Sequence, residues 1–118
     1  MPASRFSSPQ EAVSHALAAL ERYHAHLRKL GAHWMDLELY RRVGDELDEI
    51  RQGCREVPEL TQAWVELLIA HAELVQNLWQ SSRPGAPASA EGRQQLLARV
   101  SGHVEALQNK CLRLVQTH

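Results

Sequence analysis

Residues 58–80 read PELTQAWVELLIAHAELVQNLWQ. Leu60, Trp64, Leu67, Leu68, His71, Leu74, Val75 and Leu78 recur at the three- and four-residue period that lines one face of an α-helix. Pro58 suits the first turn, where its missing N–H costs nothing. Val65, Ile69, Ala72 and Trp79 form a second stripe at steps of 4, 3 and 7. The apolar arc is therefore wider than a bundle seam needs. Such a helix is either central and buried on two sides, or it presents one flank as a groove for a partner helix or a homodimer face.

Three further helices flank this segment. The first opens at Ser8-Pro9-Gln10-Glu11, with Ser8 as cap and Glu11 placed to reach back in a capping box. Val13, Leu17, Leu20, Leu27 and Leu30 form its stripe, and Gly31 is a natural stop. The second begins near His33 to Asp36. Its seam, Tyr40, Val43, Leu47, Ile50 and Cys54, steps by 3, 4, 3 and 4, with Gly44 and Gly53 weakening it slightly. The last carries Leu97, Val100, Val104, Leu107, Cys111 and Leu114, stepping 3, 4, 3, 4, 3, with Gly102 able to permit close packing or a bend. Ser81 to Gly92 is rich in Ser, Pro, Gly and Ala and reads as a mobile loop over 81–91, with Ser89 as a cap for the last helix.

The expected helices cover about 9–30, 33–54, 58–80 and 90–116, each ~33–40 Å long. Matched lengths and short links predict an all-α, antiparallel up-down-up-down four-helix bundle. The alternative is a three-helix bundle with a mobile or swapped fourth helix. Residues 1–8 are expected as a flexible N-terminus and 9–116 as a single domain.

Composition agrees with this class. Of 118 residues, 44% are apolar and 23% charged, and twelve are Val, Ile or Thr. That excludes a disordered chain and argues against a β-sandwich. The formal charge of −1 offers no domain-wide positive field, so no nucleic-acid partner is expected. No apolar run approaches the ~18–20 residues of a membrane span, and Met1 to Ser8 lacks a signal core, so a cytoplasmic protein with no membrane partner is expected. The two cysteines, Cys54 and Cys111, form no framework or metal knuckle. Reduced thiols are expected, although both fall at the same pole, where a bridge needs the second and fourth helices close together.

Seven histidines are many for this length. His24, His71 and His103 fall near one level of the bundle, and Glu21 lies i, i+3 from His24, a spacing used in carboxylate-bridged metal bundles. A second Glu-x-x-His is missing, and a histidine on a core stripe is usually a hydrogen-bonded core residue. No metal or cofactor is therefore expected, with Glu21, His24, His71 and His103 the candidates if one binds. Neither cysteine has a nucleophile motif and no Gly-rich phosphate loop is present, so no enzyme is expected. The acidic run Asp45 to Glu49 is expected as a solvated face, with Arg41 and Arg42 as i, i+4 partners.

The wide apolar arc is the feature that points beyond the fold. Trp34 and Trp79 belong to one pole, with Arg83 close by, and Trp and Arg concentrate binding energy at interfaces. Trp64 lies near the other pole and is expected in the core. The expected partner-binding set is Trp34, Val65, Ile69, Ala72, Trp79 and Arg83. The expected role is a small interaction module, adaptor or chaperone-like, that binds a partner helix or self-associates through its third helix. In size and helix layout alone the chain is similar to the export chaperones of flagellar and type III secretion systems. No motif assigns it to them.

Overall fold

Ser8 fixes where the first helix starts. Its hydroxyl accepts a hydrogen bond from the Glu11 amide at 3.1 Å, and Pro9 fills the first turn. The computed structural model describes residues 6–34, 36–83 and 90–116. Helix α1 spans Pro9–Ala32, α2 Leu37–Arg55, α3 Thr61–Ser81 and α4 Ala90–Gln116, with a 3-10 turn at Pro58–Leu60 leading into α3. Among the described residues there is no strand, and no helix is long and apolar enough to cross a membrane. The expected cap Ser89 and most of the expected loop lie outside the described residues.

Several boundaries differ from the periodicity, each for a local reason. The Glu11 carboxylate reaches Ser7 rather than closing a box on Ser8, accepting from the Ser7 amide at 3.2 Å. Residues 6–8, expected within a flexible N-terminus, are held against the bundle: Phe6 is buried, its ring 5.0 Å from that of His15. Helix α1 runs through Gly31 to Ala32. Helix α2 then starts later than expected, because the Asp36 carboxylate caps it by accepting from the Leu39 amide at 3.0 Å.

Contacts along the helices set the topology. His15 meets Glu49 and His26 meets Glu46, so α1 and α2 are antiparallel. Gly31 approaches Leu97, and His24 bonds Ser101, so α1 and α4 are antiparallel. Arg93 reaches Ser81 and Arg99 reaches Glu73, pairing α4 with α3 in the same sense. The Tyr40 ring meets the Trp79 ring, which does the same for α2 and α3. The result is an up-down-up-down four-helix bundle. Helix α4 packs along both α1 and α3, so the three-helix alternative does not apply.

The core follows the seams. Leu20, Tyr23, Leu27 and Leu30 of α1 meet Val43 and Ile50 of α2, Leu67, Leu74 and Leu78 of α3, and Val100, Val104 and Leu107 of α4. Each fully buried leucine contributes about 1.5–3 kcal/mol relative to exposure. On α3 the core positions also include Ala63 and Ala70, which the leucine pattern does not reveal. Among the described residues no polar or charged side chain belongs to the fully buried set.

Gly53 has a packing role rather than a weakening one. A Cβ on Gly53 would lie 2.7 Å from the Ala12 carbonyl oxygen and 2.9 Å from the Ala16 Cβ. Only glycine lets α2 come this close to the alanine-lined face of α1. A Cβ on Gly31 would meet Leu97 Cδ1 at 2.7 Å. Around Gly102, read as able to permit close packing or a bend, nothing lies within 4 Å of such an atom.

The acidic run is only half solvated. Arg41 pairs with Glu38 and Asp45, and Arg51 with Asp48, all on the surface. Glu46 and Glu49 instead turn onto α1, 2.7 Å from His26 and 2.6 Å from His15. Their i, i+3 spacing on α2 faces histidines that project from the adjoining side of α1.

Candidate docking surface

The bundle is not evenly closed. Helix α2 packs tightly on α1 through Gly53, while α2 and α3 touch only sparingly. A furrow of about 320 Å³ remains between them, lined by Gly44, Leu47, Asp48, Arg51, Trp64 and Leu68. It is open at Gly44, where a Cβ would meet nothing within 4 Å. Trp64, expected in the core, is only half-buried and forms the wall between this furrow and a second recess reaching Cys54 and Thr61.

Three aromatic rings stand at the opposite end. Trp79 meets Trp34 edge-on at 5.0 Å and Tyr40 at 5.7 Å, and Trp34 lies 6.0 Å from Tyr40. These near-perpendicular contacts suit the ring quadrupoles. The Trp34 indole N–H donates to the Ser82 hydroxyl at 3.4 Å, which ties the α1–α2 link to the end of α3. The sequence places Trp34 and Trp79 at one pole, and the structure brings them into contact. Tyr40, read as a seam residue, is the third member.

The second stripe of α3 faces outward. Val65 is 43% exposed, Leu68 40%, Ile69 55% and Trp79 40%, and Ala72 is exposed between them. These values decide between the two readings of the wide arc: within a single chain, α3 is not buried on two sides. Leu68, read with the main stripe, belongs to the exposed face. Leu67 and Leu68 point about 100° apart, so both cannot serve one seam. Leu37, at the start of α2, adds a further exposed leucine. Arg83 is exposed just beyond α3, its amide donating to the Gln80 carbonyl at 3.2 Å.

The stripe carries no charge. The acidic residues of α3 are Glu66 and Glu73, and both lean to α4, toward His103 at 3.9 Å and Arg99 at 2.7 Å. His71 turns inward. The outer surface of α3 is thus apolar or amide-bearing over the four turns from Val65 to Trp79.

The histidine candidates go separate ways. The His71 ring nitrogen Nδ1 is hydrogen-bonded to the Tyr23 hydroxyl at 2.8 Å, across the diagonal of the bundle. Burial pulls His71 down to about 4 and pushes the Tyr23 phenol well above its usual range, so a neutral imidazole and an un-ionised phenol share this hydrogen bond. His24 bonds the Ser101 hydroxyl at 3.0 Å. His103 stands beside Glu66, and Glu21 lies in a recess between α1 and α4 with Leu17, Gln108 and Leu112. The four side chains do not converge. Among the described residues no three His, Cys, Asp or Glu side chains are grouped to hold a metal ion.

Cys54 and Cys111 are buried free thiols. Burial pushes Cys54 up to about 12, with Cys111 nearby adding to the effect, and Cys111 up to about 11. Neither is a thiolate at neutral pH, so neither is poised as a nucleophile or soft metal ligand.

No protein-family model, curated protein sequence or solved structure matches this chain.

Proposed function

We propose that this protein is a small cytoplasmic interaction module, adaptor or chaperone-like, that docks an apolar helical surface of a protein partner on the outer face of α3. The observation that carries this reading is the uncharged strip of Val65, Leu68, Ile69, Ala72 and Trp79 on a helix whose acidic residues turn to α4. Contiguous exposed apolar side chains rimmed by polar ones mark interaction sites. Trp79, half-covered by Trp34 and Tyr40, has the character of an interface anchor: a large ring held in one orientation loses little entropy on binding. Two buried thiols with raised pKa suit a reducing compartment.

The test compares wild-type protein with Ile69→Asp and Trp79→Ala. Both variants are expected to keep the helical circular dichroism of the wild type and to lose binding, read by capture from host extract and by light scattering. If both variants unfold instead, the strip is part of the core and the reading fails.

A further inference from the structure

We propose that the side of the bundle between α2 and α3 is a hinged seam, latched at one end by the Trp34, Tyr40 and Trp79 rings, and that it opens from that end while the rest of the bundle stays folded. Polar ties cross the other sides. Helix α1 holds α2 through His15–Glu49 at 2.6 Å and His26–Glu46 at 2.7 Å. It holds α4 through His24 and Ser101. Helix α4 holds α3 through Arg99–Glu73 and Arg93–Ser81, and Tyr23 reaches His71 across the diagonal. None of these ties runs from α2 to α3.

The row of α2 that faces α3 gives the reason. Tyr40, Gly44, Leu47 and Arg51 follow one another at steps of 4, 3 and 4. The Tyr40 ring meets Trp79. Gly44 has no side chain to offer, and a Cβ there would meet nothing within 4 Å. Leu47 lines the furrow with Leu68 rather than filling it. Arg51 turns to Asp48 on its own helix.

The two ends of this side differ in kind. Near Cys54 the chain itself joins the helices: residues 56–60 run from α2 to α3, with Val57 and Leu60 buried. Gly53, at the same end, keeps α2 on α1. Near Tyr40 the chain leads from α2 back to α1, so no direct link to α3 exists there. That end is closed by the three ring contacts and by the Trp34 bond to Ser82. A side that is covalent at one end and held by rings at the other opens as a V. Regions with few buried contacts open at a lower free energy than the whole molecule unfolds.

The experiment uses the full chain carrying Val43→Cys beside its two native thiols. Positions 43 and 54 lie on one buried stripe of α2, the first beside the rings and the second at the hinge, about 16 Å apart along the axis. Cys111 lies on α4 and is buried. N-ethylmaleimide labelling of the native chain is located by peptide mass spectrometry, with each thiol normalised to its rate in denaturant. Position 43 is expected to react at least about tenfold faster than Cys54 or Cys111. Trp34→Leu, added to this chain, removes two ring contacts and is expected to speed position 43 a further tenfold or so. Val104→Ala weakens the core from α4, away from the seam, and is expected to speed Cys111 while position 43 keeps its rate. Equal rates at all three thiols, or equal acceleration of position 43 and Cys111 by Val104→Ala, mean that labelling requires global unfolding and overturn the proposal. Equal rates at position 43 and Cys54 with Cys111 protected mean that α2 detaches whole, and the hinge is wrong. A rate at position 43 that Trp34→Leu leaves unchanged removes the rings as the latch. Helical circular dichroism checks each variant: Leu47→Cys replaces Val43→Cys, and Tyr40→Leu replaces Trp34→Leu, if either fails to fold.

Discussion

Gly53→Ala and Gly44→Ala change the same atom on the same helix and are expected to act with opposite sign. Glycine-to-alanine in a helix interior gains about 0.8–1 kcal/mol from backbone entropy alone. At Gly44 nothing lies within 4 Å of the added methyl, so the gain should appear in full. Gly102, equally open, provides a second reference. At Gly53 the methyl meets the Ala12 carbonyl oxygen at 2.7 Å and the Ala16 Cβ at 2.9 Å. Neither is the end of a flexible side chain, so α2 must move off α1. Overpacking of this kind costs about 1–3 kcal/mol, which offsets the propensity gain and leaves a net loss near 1 kcal/mol. With unfolding entropy scaling with chain length, 1 kcal/mol is about 4 °C of Tm for a chain of this size. Thermal melts followed by circular dichroism should therefore show Gly44→Ala and Gly102→Ala higher than wild type by about 3–4 °C, and Gly53→Ala lower by about 4 °C. If Gly53→Ala melts as high as Gly44→Ala, the close approach of α1 and α2 is not what the structure describes, and the origin given for the furrow falls with it.

Two further outcomes follow from buried groups. His71 is held near 4, below its unfolded value near 6.5, so the unfolded chain binds the extra proton between those limits and stability falls as pH drops from 6.5 to 4. The upper bound is about 3 kcal/mol. Urea midpoints across that window should slope less in His71→Gln than in wild type, and parallel slopes would remove His71 as the cause. The two thiols should resist a disulfide reagent at pH 8 in the native chain and both react in denaturant without reductant, since burial and raised pKa protect them. Rapid reaction of either in the native state would contradict its burial.

The fold was legible because its information is periodic. The 4, 3, 4 steps of Val43–Leu47–Ile50–Cys54 and of Val100–Val104–Leu107–Cys111 all end in the core, as do Leu20, Leu27 and Leu30. The surplus stripe on α3 was legible too, but its exposure was not. That depends on the spacing of α2 and α3, and α2 is drawn toward α1 by the fit of Gly53 against Ala12 and Ala16. These small residues carry little hydrophobic signal, and their complementarity joins positions about forty residues apart. The histidines illustrate a second limit. Counting residues along helices gives height in the bundle, and it does put His24, His71 and His103 in its middle. It gives no azimuth between helices, and these three rings turn to Ser101, Tyr23 and Glu66. The half-buried state of Trp64 escaped for the same reason as the furrow it lines.

The contact at Gly53 acts at a distance from where it is made. Helix α2 stands between two neighbours like a partition, and the thickness of the residue at position 53 sets how far it leans toward α1. The width of the opening on its other side, beside Trp64 and Leu68, is inherited from that lean. The width of this furrow is therefore adjustable from behind. A single methyl on the α1-facing side of α2 would narrow the furrow without altering any residue that lines it.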